Sequence, residues 1–543
     1  ATYRITKTVH VSDDSGNPHD VYTADLEDAK TTSVKKNHAE EIKTFKNYEE
    51  AKIWIKENIK IKPWENEGLT EGQKDILIRS TKTPAKLILL NSIIEQYRDS
   101  ASLTDLPKYK NEILPIDQAH KRDMGLSQTV YAYTNLTDWD IGESLIDVMN
   151  QRKNSTFYTN GTTVLDENKV NHLKDTFKFG IAKGFLCVSL IQEDTLSHEP
   201  VCMRIKIPEG TPTCYWNEDK FIIARDYGIN VTNIYIEKNS DGKSFIKVEA
   251  DLINKTAFEL KIKEAENDFN KKFFPTLSND HKPIVKFDIS SFYASRVFSI
   301  ASDAFEIFKK NIPEKLMLDC LQKMNADHAI LFSDQDLANI VKTDTKETLL
   351  GRMDGFQKVL YVTCRGQFLK GLAGHQTDLL GTLIHEFGHA IDFLLFHEKT
   401  AETAFQKLYL NLFLNALDDK IFKVDDFIKE FQNIKMNDIK KAEIVTDPAE
   451  KYLRTIQAKV INIKKIELIA QNLKLDMKTL QNHIKKVQST AFTKYSTVNA
   501  WERFAELFRV MSGVDATLKE KIKQEDPDAV EMIRSLIADS LKG

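Results

Sequence analysis

The sequence predicts a multidomain α+β protein, a mixed α/β domain followed by a largely helical one. Three observations carry this. At 543 residues the chain exceeds the size at which a single core stops growing. Between about residues 128 and 254, short β-branched and aromatic runs are separated by turn chemistry. Beyond about residue 256, helical spacing of apolar positions takes over. Composition excludes some partners. A net charge of −4 offers no basic field for nucleic acid or anionic lipid. No run of roughly 18 apolar residues is present to span a bilayer.

Taken in order, residues 1–44 are polar and read as an extended N-terminal arm, with no apolar signal core at their start. The first domain is expected over 45–257. It opens with helical spacing at Tyr48, Ala51, Trp54 and Ile55, and again at Leu87, Leu90, Ile93, Ile94 and Tyr97. Pro107 and Pro115 mark loops. The runs TVYAYT, FLCVSLI, VCMRIKI, FIIA, VTNIYIE and SFIKVEADLI then read as six strands, with turns at Asn160-Gly161, Pro208-Glu209-Gly210 and Asp241-Gly242. The second domain is expected over 258–543. It begins with two long helices, TAFELKIKEAENDFNKKFF and SSFYASRVFSIASDAFEIFKKNI, the latter with Ser290 or Ser291 as its cap. Val359–Thr363 (VLYVT) reads as a strand whose edge would take an extended substrate. Residues about 400–485 are Lys/Glu-rich and helical. The five cysteines are scattered and lack CxxC pairs, so neither a disulfide framework nor a cysteine metal site is expected.

Chemistry concentrates in LGTLIHEFGHAIDFLL, which carries HExxH at 385–389. On a helix, positions i and i+4 share a face, so His385 and His389 can meet one ion, and Zn2+ suits two imidazoles with one open position. Glu386, one step round the helix, would be the general base toward a water. Leu383, Ile384, Phe387, Ala390, Ile391 and Leu394 make this a buried helix, and Gly388 leaves room for close packing. A third ligand is needed. The HExxHxxGxxH pattern is excluded by Asp392 and Leu395 at its glycine and third-histidine positions, and His397 faces away. A later helix carries Glu502 and Glu506 four apart in YSTVNAWERFAELFRVM, one suited to the metal and the other to a ligating histidine.

GTLIHEFGHAID, with Tyr495 and NAWERFAELFRVM downstream and VKFDISSFYASRVFSIASDAFEIFKKNI upstream, resembles the catalytic domain of the anthrax lethal factor family, a zincin metalloprotease. The resemblance implies Glu502 as third zinc ligand, Glu506 behind a ligating histidine, and Tyr495 as donor to the oxyanion. The segment about 400–485 then looks like a helical insertion. Residues about 45–255 resemble the ADP-ribosyltransferase-like domains of lethal factor and of binary-toxin enzymatic components of the iota and vegetative insecticidal types. In active members an Arg follows V-Y, an S-T-S follows G-Y/F, and an E-x-E precedes an apolar strand. Here those places hold Ala132 after Val130-Tyr131, Cys187-Val188-Ser189 after Gly184-Phe185-Leu186, and Glu218-Asp219-Lys220. Without the Arg the phosphate clamp is gone, and Lys220 stands where the catalytic carboxylate would be.

The function implied is that of a secreted bacterial binary-toxin component. It would act in the host cytosol as a zinc-dependent endopeptidase on host proteins, after delivery by a pore-forming partner. The transferase-like domain would be inactive and would dock on the pore or grip substrate. Two other classes compete. One is an active ADP-ribosyltransferase, opposed by Ala132 and Lys220. The other is a non-catalytic pore-binding adaptor, opposed by the intact HExxH.

Overall fold

The alternation of apolar and polar residues that marks half-buried strands produces three sheets among the described residues of the computed structural model. It describes residues 2–10, 38–59, 70–72, 75, 84–97, 101–121, 125–143, 155–159, 162–193, 199–215, 219–279, 282–341, 349–365, 379–415 and 423–543. These fall into two compact units. One is mainly Ala1–Glu264 with Ile289–Ser299, and the other Ala265–Asp288, Ile300–Gln367 and His375–Gly543. The units interleave along the chain, with junctions at 264/265, 288/289 and 299/300, where the sequence leads one to expect a single boundary at 257/258.

The first unit begins with β1 (Tyr3–His10) and β2 (His38–Phe45), which pair antiparallel from Tyr3–Phe45 to His10–His38. These strands occupy residues 3–10 and 38–44 of what reads as an arm in the sequence. Helices α1 (Tyr48–Asn58), α2 (Pro84–Gln96), α3 (Ala101–Asp105) and α4 (Leu114–His120) follow. Asn47 caps α1 by accepting from the Glu49 amide at 2.9 Å. Then come β3 (Val130–Leu136), α5 (Glu167–Thr176), β4 (Phe179–Ala182), β5 (Leu186–Ser189), β6 (Gln192–Glu193), β7 (Val201–Ile207), β8 (Thr213–Tyr215), β9 (Lys220–Ile223), β10 (Tyr227–Lys238) and β11 (Ser244–Ile253). Among the described residues, β1 lies between β2 and β6. The other eight strands form one sheet in the order β4-β10-β11-β7-β3-β5-β9-β8. The six expected strands are all in it, joined by the short β4 and β8. Val130, Ala132, Ile205, Ile207, Ile246 and Val248 fill the main core. Leu87, Leu90, Ile94 and Ile116 build a second core against Phe185 and Ile222.

Helices α6 (Lys255–Phe273) and α7 (Ala294–Asn311) match the two long amphipathic runs. Neither Ser290 nor Ser291 caps α7, which starts three residues after Ser291. That segment is engaged elsewhere, since the Ile181 amide of β4 donates to the Ser291 carbonyl at 3.1 Å.

The second unit contains β12 (Val285–Asp288), α8 (Glu314–Gln322), β13 (Ile330–Ser333), β14 (Gly351–Asp354) and β15 (Val359–Thr363). Their order is β12-β13-β15-β14, with the first two pairings parallel and β14 antiparallel to β15. Val359–Thr363 is thus an interior strand, which corrects the edge reading. The outermost strand on that side, among the described residues, is β14. Beyond lie α9 (Leu379–Leu394), α10 (Thr403–Leu414), α11 (Val424–Glu443), α12 (Pro448–Lys459), α13 (Ile463–Asn472), α14 (Met477–Thr490), α15 (Ala500–Ser512), α16 (Ala516–Glu525) and α17 (Pro527–Lys542). An aromatic seam runs from Phe269 through Phe305 and Phe308 to Phe387 on α9, the last pair edge-to-face with centroids 5.1 Å apart.

Candidate metal centre

Helix α9 is apolar enough to be buried along most of its length, and its three ionisable motif residues are buried with it. Gly388 explains how it packs. A Cβ there would lie 3.1 Å from Phe508 Cδ1 and 3.3 Å from Ala505 Cα, both on α15. Bare backbone at 388 against the small Ala505 lets the two helices approach closely enough for their polar side chains to meet. A Gly388→Leu protein is expected to lose about 1–3 kcal/mol from overpacking. Denaturant titration checks this, and the loss should appear as a lowered midpoint.

Helix α15 is oriented by its cap. Asn499 accepts from the Glu502 amide at 2.8 Å, so the first turn begins with Glu502 facing α9. Glu502 Oε2 then lies 2.8 Å from His385 Nε2 and 3.2 Å from His389 Nε2. His385, His389 and Glu502 each offer one ligand atom, all within 4.8 Å of one another. One turn on, Glu506 Oε1 accepts from His385 Nδ1 at 2.7 Å. That bond puts a proton on Nδ1, so in the neutral imidazole the Nε2 lone pair is directed at the Glu502 oxygen. Two lone pairs facing at 2.8 Å repel unless a proton or a cation lies between them. Two imidazoles and one carboxylate converging this way suit Zn2+, with a position left over for water.

The electrostatics follow from that crowding. Burial alone would lower His385, but the Glu502 and Glu506 carboxylates outweigh it and push the imidazole up to about 10. Burial would raise Glu502, yet His389 and His385 hold it well below the carboxylate range. Burial pushes Glu386 up against the lowering pull of the two imidazoles.

Around this centre lie residues that the sequence reading missed. Arg509 grips both oxygens of Glu506, Nε to Oε1 at 3.0 Å and Nη2 to Oε2 at 2.9 Å, and Thr493 Oγ1 donates to Oε2 at 2.8 Å. Only the i, i+3 spacing of Glu506 and Arg509 hinted at it. Tyr495 is half-exposed, with its ring centroid 5.4 Å from that of His385. Residues of the 400–485 segment support that turn. Tyr409 on α10 donates to the Thr497 carbonyl at 2.8 Å, and the Ala500 amide donates to Ile461 at 3.2 Å. His397 is exposed, with φ 52° beyond the end of α9, and makes no part of the centre. Asp392 is buried and accepts from Thr400 instead.

In the first unit, the positions read as degenerate also come together. Ala132 is buried on β3, and Val188 is buried on β5. The half-buried Cys187 is raised to about 11 by burial, against the lowering pull of Lys220. Ser189 is registered opposite Lys220 on β9. Ser189 donates to Asp219 Oδ2 at 2.9 Å, and Tyr48 donates to the same oxygen at 2.7 Å. Glu218 lies outside the described residues.

The family profile of the anthrax toxin lethal factor middle domain matches residues 87–253. Lethal factor of Bacillus anthracis is 25% identical over 317 residues. This chain is similar to anthrax lethal factor. The match covers 55% of this chain and 38% of lethal factor, so the chain spans well under half of that relative's length. Similar solved structures include an ADP-ribosylating toxin, BECa, of a binary enterotoxin of C. perfringens, 19% identical, covering 50% of this chain and 59% of that one at a TM-score of 0.30. Another is the enzymatic component C2-I of the C2 toxin of Clostridium botulinum, 18% identical, covering 43% and 55% at 0.31. C3larvin, an ADP-ribosyltransferase from Paenibacillus larvae, is 20% identical and covers 35% and 90% at 0.28. The part matching the lethal factor middle domain lies within the first unit, and the two segments HEFGH and ERFAE meet in the second.

Proposed function

We propose that this protein is a bacterial toxin component whose second unit is a zinc-dependent endopeptidase. The observation that carries the reading is the convergence of His385, His389 and Glu502 on one point, with Glu386 beside them. His385, His389 and Glu502 would hold the zinc, and Glu506 would orient His385. Zinc bound there would supply Lewis-acid polarisation of a scissile carbonyl and a more acidic water. Glu386 would take that water's proton and pass it to the leaving amine. The Tyr495 hydroxyl would donate to the negative oxygen that develops at the carbonyl.

Substrate would lie extended along β14. In the β14–β15 pairing, Leu350 and Arg352 direct their main-chain groups at β15, so those of Gly351 and Met353 face outward. That side of β14 is where a peptide strand could add, beside Glu386.

The first unit is read as a transferase scaffold without transferase activity. Ala132 cannot clamp a phosphate, and the hydroxyl of Ser189 is already given to Asp219. We read it as the docking or gripping part of a toxin that a pore-forming partner delivers to the host cytosol.

Zinc content and cleavage test this together. Metal-replete protein is expected to hold about one zinc per chain. It should also generate new N-termini in host cell extract that disappear on chelation. Glu502→Ala should hold far less zinc and cleave nothing. Full zinc binding by that variant, or an extract unchanged by the wild type, would overturn the reading. In the same extract no label should pass from NAD to protein.

A further inference from the structure

Strand β14 touches Glu386 twice, and neither contact was visible in the sequence. The Met353 amide donates to Glu386 Oε2 at 2.7 Å. Two residues earlier, a Cβ built on Gly351 would fall 2.8 Å from Glu386 Cγ, 3.0 Å from its Oε1 and 2.5 Å from Thr382 Cγ2. The carboxylate and its methylene chain therefore lie over bare backbone at 351 and are tethered by backbone at 353.

We propose that β14 is the positioning element for the general base, with Gly351 and Met353 fixing the Glu386 carboxylate so that Oε1 is the oxygen left to accept a proton. This rests on the endopeptidase reading for its consequence but not for its geometry. The bond to Oε2 consumes one of the outward-facing amides of β14. A peptide adding to that strand finds the Gly351 amide and the carbonyls of Gly351 and Met353, while the Met353 amide is taken by the base. Substrate strand and base are thus held by the same four residues, and a shift of β14 moves both.

The geometry is tested first without metal or substrate, by hydrogen exchange at the Met353 amide in zinc-free protein. A bond from an amide to a buried carboxylate is expected to slow exchange by roughly tenfold or more. Glu386→Ala should release that protection, and Gly351→Ala should reduce it by pushing the side chain away. Equal protection in wild type and Glu386→Ala would overturn the proposal, whatever the enzyme does. The consequence is tested by kcat. Gly351→Ala is expected to lower it about a hundredfold, the usual effect of misplacing a catalytic group by an ångström. Met353→Pro removes the amide, and because that group faces away from β15 it leaves the ladder intact, so it should lower kcat comparably. Both should bind zinc as the wild type does. Wild-type kcat in Met353→Pro, or loss of zinc in both, would reject a positioning role for β14. If the wild type cleaves nothing, the endopeptidase reading fails alone, and the exchange result still decides the geometry.

Discussion

Glu386→Gln is expected to lower peptide cleavage by about a thousandfold while leaving zinc binding intact. The two results belong together. Glutamine keeps the length of the side chain, and its carbonyl oxygen accepts from the Met353 amide as the carboxylate does now. It has no lone pair basic enough to take a proton from water. The His385–His389–Glu502 cluster does not include position 386, so its ligand atoms are untouched. Turnover measured on a cleaved peptide, with zinc assayed on the same preparation, separates base from ligand. A variant that lost zinc would mean that Glu386 acts on the metal. One that kept wild-type turnover would mean that another group moves the proton.

The juxtaposition on which those proposed roles rest was legible in the sequence because it is local. His385 and His389 are one turn apart, and Glu386 is fixed by adjacency, so a single helix determines all three. The partner carboxylate was not local. Glu502 lies 113 residues from His389; its spacing of four from Glu506 on a later helix marked the pair, and only the resemblance of NAWERFAE assigned the metal to Glu502 rather than Glu506. Its orientation comes from Asn499, whose capping role becomes clear once the helix start is known. Contacts made by main chain left no trace in the residue pattern, which is why Met353 and Gly351 escaped notice. Strand order escaped for a related reason. VLYVT has the same alternation whether it lies inside a sheet or at its edge, and the short run GRMD that actually lies outside it is too brief to read as a strand. The first strand, YRITKTVH, looked like a polar arm because Ile5 and Thr6 are its buried side chains among those described. It becomes a strand by pairing with residues 28 (His10–His38) to 42 (Tyr3–Phe45) positions away.

Arg503→Met is expected to cost about 3–5 kcal/mol of stability in the second unit, the usual result of removing one partner of a buried ion pair. Arg503 follows Glu502 on α15 and points about 100° round the helix from it, toward the start of α17. Its side chain is 1% exposed. Nε and Nη2 donate to Asp526 Oδ2 at 3.2 and 2.9 Å, Nη2 approaches Glu525 at 3.4 Å, and the guanidinium lies 5.4 Å from the Phe492 ring centroid. Asp526 in turn caps α17 through the Ala529 amide at 3.3 Å. Methionine would leave Asp526 buried without its cation, and the thermal midpoint should fall by roughly 6–20 °C for a unit of this size. Changing both partners to apolar residues should recover much of the loss, because the uncompensated charge then disappears. The double variant also bears on the metal centre. If the ion pair sets the rotation of α15, zinc should bind more weakly in the double variant even where its stability has returned. If packing of Ala505 and Phe508 against Gly388 sets it, stability and zinc affinity should recover together.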